Sequence, residues 1–381
     1  MIDALGILGQ SFYDLRLCEN LTSFNGRDII LEVPVGYQYA SSLFSINRSS
    51  RHMEKQLGKV SRIREYVTWL KRIAVRARQW QPDIIHWQFG LFCLFDYLII
   101  RYLQSQLPKS RIVITLHDAR SGKPTWNHVI ARKRFFRSAN GVVVHSEEAR
   151  NNYLKWIGPV SQSEAVRVIL HGPYDTPASP NLSSNEIRRH FGLDPQGSVI
   201  ISIGSINKNK DFSRGVKLVG ELQKLCPTVN FLIAGTSAGY DMNVLQKERN
   251  QAPSPERIVI MDRYLTDDEV DQAHCIADFS LLIYNASVTS GAAVRSLCGG
   301  VPVICNDCPG FRAVVIDGKN GIMVDENNPA AEAPRIHQTL KNPETLNDMK
   351  EKALASYQGI TWDQVALKHY NFYRELLGSH A

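Results

Sequence analysis

A chain of 381 residues is too long for one ordinary hydrophobic core, so two domains are expected. With 44% apolar and 21% charged residues it has the composition of a globular protein, which excludes a disordered chain. The net charge of +7 favours anionic partners, and 7 cysteines at irregular spacing exclude a disulfide framework.

Strand-like runs alternate with amphipathic stretches along the whole chain. A first series falls at 4–8, 29–33, 83–89, 111–117, 141–146 and 166–170, and a second at 199–204, 230–235, 257–261, 279–284, 301–305 and 321–324. The runs are apolar throughout, and such strands separated by helices predict parallel sheets covered on both faces. The expected class is α/β, with two doubly wound domains. A segment rich in Pro, Ser and Asn, "GPYDTPASPNLSSNEIRR" at 172–189, reads as the linker. The expected division is therefore 1–178, 179–360 and a last amphipathic helix within 361–381. No strand follows that helix, so it is expected to pack back on the first domain.

No apolar run approaches the ~18 residues of a membrane span. "LFCLFDYLII" at 91–100 is too short and contains Asp96. The N-terminus lacks an export signal, so a cytoplasmic location is expected. From Arg48 to Arg78, ten basic residues face only Glu54 and Glu65, with Trp69 and Trp80 interleaved. Residues 48–80 are thus expected to present a cationic helical face to an anionic membrane surface, peripheral on its inner side. The same charge would suit nucleic acid, but no recognition motif accompanies it, so no nucleic-acid partner is expected. The pair in "CNDC", Cys305 and Cys308, lacks the partners of a zinc site and reads as ordinary thiols.

Ligands in doubly wound sheets bind at the carboxyl ends of strands, and four loops are placed there. "GSINKNK" at 204–210 brings Lys208 and Lys210 to the crevice, where a flexible ammonium suits a diphosphate. "TSGAAVRS" at 289–296 opens a helix on small residues. Its amides can hold a phosphate, and its Ser or Thr equally makes an N-cap. His117 in "TLHD" ends a first-domain strand, facing a ligand or packing, whereas His86 reads as structural. In "GILGQSFYDLR" at 6–16, Gly9 marks a turn that lets backbone approach a phosphate or sugar.

Together these features resemble the retaining GT-B glycosyltransferases, family-4-like, over nearly the whole chain. The resemblance is strongest from 199 to 324, in the glycine-to-lysine turn ending at Lys210, in "YLTDDEV" at 264–270 and in the stretch ending "GGVPVI". The tryptophan helix at 361–377 also fits. The resemblance implies two Rossmann-like domains facing across a cleft, with the nucleotide sugar on the second and the acceptor on the first. It implies that Lys210 and amides at Thr289, Ser290 and Gly291 bind the diphosphate, and that backbone near Tyr264 and Leu265 meets the base. His117 would lie beside the transferred sugar. No metal or other cofactor is implied, since lysine and helix amides replace it; the donor is a nucleoside diphosphate sugar and the acceptor a saccharide or lipid-linked saccharide.

The family's two glutamates, eight residues apart, fall on Ser287 and Arg295, and Ser205 stands where an arginine is common. The sequence looks like the part of the family that runs "TSGA" into its helix with neither glutamate. The phosphate anchors remain, and Arg295 is expected to approach a phosphate or ribose oxygen or to sit on the outer helix face. The function implied is hexosyl transfer with retention in polysaccharide or glycolipid synthesis. The alternative is a non-catalytic scaffold of the same fold with a degenerate donor site.

Overall fold

The computed structural model describes residues 1–378 other than 7, 25–27, 55, 118–125, 159–164, 177–181 and 286–289, and no side chain at 8, 9, 89 or 126–128. The chain divides into two compact units, Met1–Gly172 with Ile360–Ala381, and Pro173–Gly359. The first division falls six residues before the expected 178/179 boundary, and residues 177–181 of the expected linker lie outside the described residues.

The first unit runs β1 (Ile2–Asp3), α1 (Leu8–Leu21), β2 (Ile30–Pro34), β3 (Ser45–Ser50), α2 (Lys59–Trp80), β4 (Ile84–Phe89), α3 (Cys93–Gln106), β5 (Arg111–Thr115), α4 (Trp126–Arg137), β6 (Gly141–Val144), α5 (Glu147–Ile157) and β7 (Val166–Val168). Its seven strands lie in the order β3-β2-β1-β4-β5-β6-β7, all parallel. The order reverses between β1 and β4, which is the switch point of a doubly wound sheet. Two expectations fail here. The run at 4–8 is not a strand: the Asp3 carboxylate accepts from the amides of Leu5 and Gly6, both at 2.9 Å, and Gly6 turns with φ +56. That turn ends β1 and starts α1 at Leu8, so Gly9 lies inside the helix. The strand β3, "SINRSS", was not expected; it is a polar edge strand paired to β2 alone.

The second unit runs α6 (Ser184–His190), β8 (Val199–Ile203), β9 (Ile206–Asn207), α7 (Phe212–Leu225), β10 (Asn230–Ala234), β11 (Ser237–Ala238), α8 (Met242–Asn250), β12 (Ile258–Met261), α9 (Asp267–Ile276), β13 (Phe279–Leu282), α10 (Gly291–Cys298), β14 (Val303–Asn306), α11 (Pro309–Arg312), β15 (Gly321–Val324), α12 (Pro329–Lys341) and α13 (Pro343–Ala355). Six strands form the parallel sheet β12-β10-β8-β13-β14-β15, with β9 and β11 paired apart. Its switch point lies between β8 and β13. Both faces are apolar: Val216, Leu222, Phe231 and Ile336 pack on one side, and Ile187, Ile201, Leu232 and Val270 belong to a second cluster.

The last helix, α14 (Trp362–Leu376), belongs to the first unit and packs against α1. Trp362, Val365, Ala366 and Phe372 enter a core with Tyr13, Leu17, Val113 and Ile169. The fit is close, because a Cβ at Gly172 would come within 2.5 Å of the Trp362 ring. Only glycine allows the indole to lie there.

The cationic segment divides when folded. Arg48 is on β3, and Arg62, Arg72 and Arg76 bond the His52 carbonyl, the Ser49 carbonyl and the Glu32 carboxylate respectively. Trp69 is fully buried while Trp80 is 41% exposed. Lys59, Arg64 and Lys71 remain exposed along α2. Among the described residues no helix is long and apolar enough to cross a membrane.

Candidate donor site at the second switch point

At the end of β8 the chain turns through Gly204 with φ +119, and a Cβ there would lie 2.8 Å from the Lys210 Nζ. Glycine both permits the turn and leaves room for the ammonium. The turn is fastened to the end of β13: Asp211 N donates to Ile283 O at 2.7 Å, Asn285 N to Asn209 O at 2.7 Å, and Asn285 Nδ2 to Lys208 O at 3.0 Å. Asp211 then caps α7 by accepting from Arg214 N at 3.1 Å. Ser205 lies between β8 and β9, partly exposed.

The Lys210 ammonium lies 5.6 Å from the Tyr284 ring centre and 5.9 Å from that of Phe212, with Ile203 O at 3.5 Å. No carboxylate pairs with it among the described residues. Burial disfavours its charged form and lowers its pKa to about 8. An anion entering the switch point would supply the missing partner.

On the other side, the Ser290 Oγ accepts from Ala293 N at 3.2 Å and its hydroxyl donates to the Tyr284 hydroxyl at 3.3 Å. Ser290 is therefore the N-cap of α10, which is what its side chain does here. The amides of Gly291 and Ala292 have no acceptor among the described residues and stand at the positive end of the helix. Ser287 and Thr289 lie outside the described residues.

Arg295 points elsewhere. Its guanidinium forks to Asp267 Oδ1 and Asp271 Oδ1, each at 3.0 Å, and lies 5.6 Å from the Tyr174 ring centre. It ties α10 to α9 and makes no approach to the α10 amides. Asp267 lies in the quoted run 264–270 and Tyr174 in the expected linker, but neither these nor Asp271 stands out in the sequence, because their partner lies many residues away. The loop before α9 presents Tyr264 with 43% exposure, whereas the Leu265 side chain is buried in the core and only its backbone can meet a ligand. Thr266 and Glu269 close the start of α9 as a capping box.

In the first unit, His117 follows β5 and is held on both ring nitrogens. Nδ1 is 3.1 Å from His145 Nε2, and Nε2 is 2.8 Å from the Gln88 side chain. The chain of bonds fixes the tautomers. His145 Nδ1 must donate to Ile169 O at 2.8 Å, so neutral His145 accepts at Nε2 and His117 donates from Nδ1. His117 Nε2 is then left to accept, so the Gln88 side chain, whose Oε1 faces it at 2.8 Å, bonds it only with its amide oxygen and nitrogen exchanged. Burial, reinforced by the neighbouring histidines, holds His117 well below its usual pKa. His86 is likewise engaged, by Tyr373 at 2.6 Å and Thr115 at 2.7 Å. Cys305 and Cys308 are free and buried, and no cluster of three or more metal-binding side chains occurs among the described residues.

Comparison with known proteins assigns both units. Residues 183–355 match the family of glycosyl transferases group 1, and residues 45–172 match glycosyltransferase family 4. The D-inositol 3-phosphate glycosyltransferase of Streptomyces bingchenggensis is 23% identical over 65% of this chain and 56% of its own length. The alpha-monoglucosyldiacylglycerol synthase of Acholeplasma laidlawii is 27% identical over 50% and 47%. The chain thus spans about half the length of such relatives. In fold it is similar to sucrose-phosphate synthase from Thermosynechococcus elongatus, with TM-score 0.77 and 15% identity over 100% of this chain and 96% of that one. Anabaena HepE, solved with UDP and glucose, gives TM-score 0.74 and 13% identity over 100% and 98%. With two parallel Rossmann-like sheets and two family matches that divide the chain between them, the protein belongs to the family-4-like GT-B glycosyltransferases.

Proposed function

We propose that the protein moves a hexose from a nucleoside diphosphate sugar to a saccharide or lipid-linked saccharide, with retention, in polysaccharide or glycolipid synthesis. The observation that carries this reading is the Lys210 ammonium, buried at the second switch point without a carboxylate. Together with the Gly291 and Ala292 amides it would stabilise charge on the departing diphosphate, where transfer most needs help. Two donor groups without an anionic partner at one switch point favour a bivalent anion as the occupant. No metal is required in this scheme, because lysine and amides neutralise the diphosphate.

In this reading His117 serves as a fixed neutral ring and not as a proton carrier, since its low pKa leaves it uncharged near neutrality. The names of the relatives support an acceptor with inositol phosphate, lipid or saccharide character, and the exposed Lys59, Arg64 and Lys71 of α2 support docking on an anionic membrane surface.

The test is thermal unfolding with saturating UDP, GDP and ADP, alone and as their common hexose conjugates, followed by transfer assays with the donor that binds. A ligand at a hundred times its Kd adds roughly 2.7 kcal/mol of stability. A shift with one base, and turnover that keeps the donor's anomeric configuration, support the proposal. No shift with any nucleotide sinks it in favour of a scaffold.

A further inference from the structure

The Lys210 ammonium is held in place without a carboxylate among the described residues, and Tyr284, just past the end of β13, is what holds it. Asn285 N donates to Asn209 O and Asp211 N to Ile283 O, each at 2.7 Å, so Lys210 and Tyr284 face each other between the two bonds as an isolated antiparallel bridge. Such a non-hydrogen-bonded pair brings its side chains close together on one face. The Tyr284 ring centre accordingly lies 5.6 Å from the Lys210 Nζ, within the range of a cation–π contact. The same side chain reaches α10, whose N-cap Ser290 donates its hydroxyl to the Tyr284 hydroxyl at 3.3 Å. One residue thus touches both elements of the anion site.

Tyr284 is itself fixed. Its N donates to Asn306 Oδ1 and its O accepts from Asn306 Nδ2, both at 2.9 Å, and the Phe311 ring packs against its own with centres 4.7 Å apart. Tyr284, Asn306 and Phe311 are all buried. A carboxylate beside Lys210 would neutralise the ammonium and compete with an incoming anion, whereas a ring face favours the cation and leaves its charge to the ligand. By accepting the Ser290 proton, the Tyr284 hydroxyl also leaves the Ser290 lone pairs to Ala293 N, which keeps the cap of α10 in order.

We propose that Tyr284 is a positioning residue of the donor site: its ring face holds the Lys210 ammonium ready for an anion, and its hydroxyl orders the start of α10. The inference rests on the reading of that site as one for a nucleoside diphosphate.

The experiment titrates Lys210 by NMR in the free full chain, through its pKa of about 8, and measures by calorimetry over the same range the affinity for whichever of UDP, GDP and ADP binds. Tyr284→Leu removes the ring that favours the charged form, so the Lys210 midpoint should fall by about one unit and the nucleotide should bind roughly five- to tenfold more weakly at and above pH 8. Tyr284→Phe should keep the midpoint and weaken binding by roughly threefold at every pH, because Ser290 loses its acceptor. Phenylalanine analogues with one, two and three ring fluorines at position 284 withdraw charge from the ring face with little change of shape, and the midpoint should fall at each step. A packing role predicts one midpoint throughout that series; this result overturns the inference and leaves the donor reading intact. Should Tyr284→Leu not fold, the fluorinated series decides alone. Failure of all three nucleotides to bind wild type overturns the donor reading and the inference with it.

Discussion

The two units share a strand order and differ in what they bury. In the first, His86, His145, His171 and His369 are buried side by side with Tyr13, His117 adjoining them, and Asp3 and Asp14 are buried close by. The second keeps its sheet faces apolar and places its ionised groups at strand ends and helix starts; His274 is its buried histidine among the described residues. The same architecture thus tolerates a polar interior in one copy and concentrates charge at the switch point in the other. Polar burial fixes rings in one tautomer, whereas charge at a switch point waits for a ligand.

The comparison breaks most readily at Lys210. Lys210→Met should lower donor turnover by about 10²- to 10³-fold, the usual loss when a donor to developing charge is removed. It should also leave the unfolding midpoint unchanged or raised at pH 7, because a desolvated charge has gone. A lowered midpoint with retained turnover would make Lys210 a packing residue.

Acid should separate the units next. Burial lowers His171 and His369 to about 4 and His145 to about 3, against an ordinary value of 6.5. Between pH 6.5 and 4 the unfolded chain takes up protons that the folded chain refuses, so stability is complete above 6.5 and falls as the pH drops. The loss is on the order of 2–3 kcal/mol for each fully neutral histidine. Pepsin at pH 4.5 should cut within 1–172 before 173–359; simultaneous cutting would show that the histidines are not decisive.

A smaller effect sharpens the donor site. Since an anion binds the charged form of Lys210 and its pKa is about 8, nucleotide affinity should fall by up to about tenfold per unit above pH 8. Calorimetry at pH 8 in buffers of different ionisation enthalpy should report proton uptake on binding. Lys210→Arg, which stays charged, should flatten the profile. The smallest effect is on α2, where each of Arg64→Glu and Lys71→Glu should weaken sedimentation with anionic vesicles several-fold, at roughly 1 kcal/mol per basic residue. Equal binding by wild type and variants would remove the membrane from the first unit.

Much of the architecture was legible because parallel strands buried on both faces are written as short apolar runs, as in "VIISI" and "NFLIA". The polar edge strand "SINRSS" carries no such signal, since one neighbour suffices for it. The first strand was misplaced because Asp3, not an apolar residue, ends it. Lys210 was legible from its place after a strand and a glycine. Arg295 was not, for its meaning depends on Asp267 and Asp271, 28 and 24 residues earlier. His117 was legible as a residue at a strand end, but its tautomer hangs on the carbonyl of Ile169, which only the fold brings near.

The seating of Trp362 over Gly172 has a consequence for biosynthesis. The core that Tyr13, Val113 and Ile169 begin is closed by residues made after the whole of 173–359. On the ribosome the first unit must wait, open on its α14 side, while the second emerges and folds. The earlier half of the chain is finished last, and a nascent chain stalled before residue 360 would hold a complete second unit and an incomplete first one.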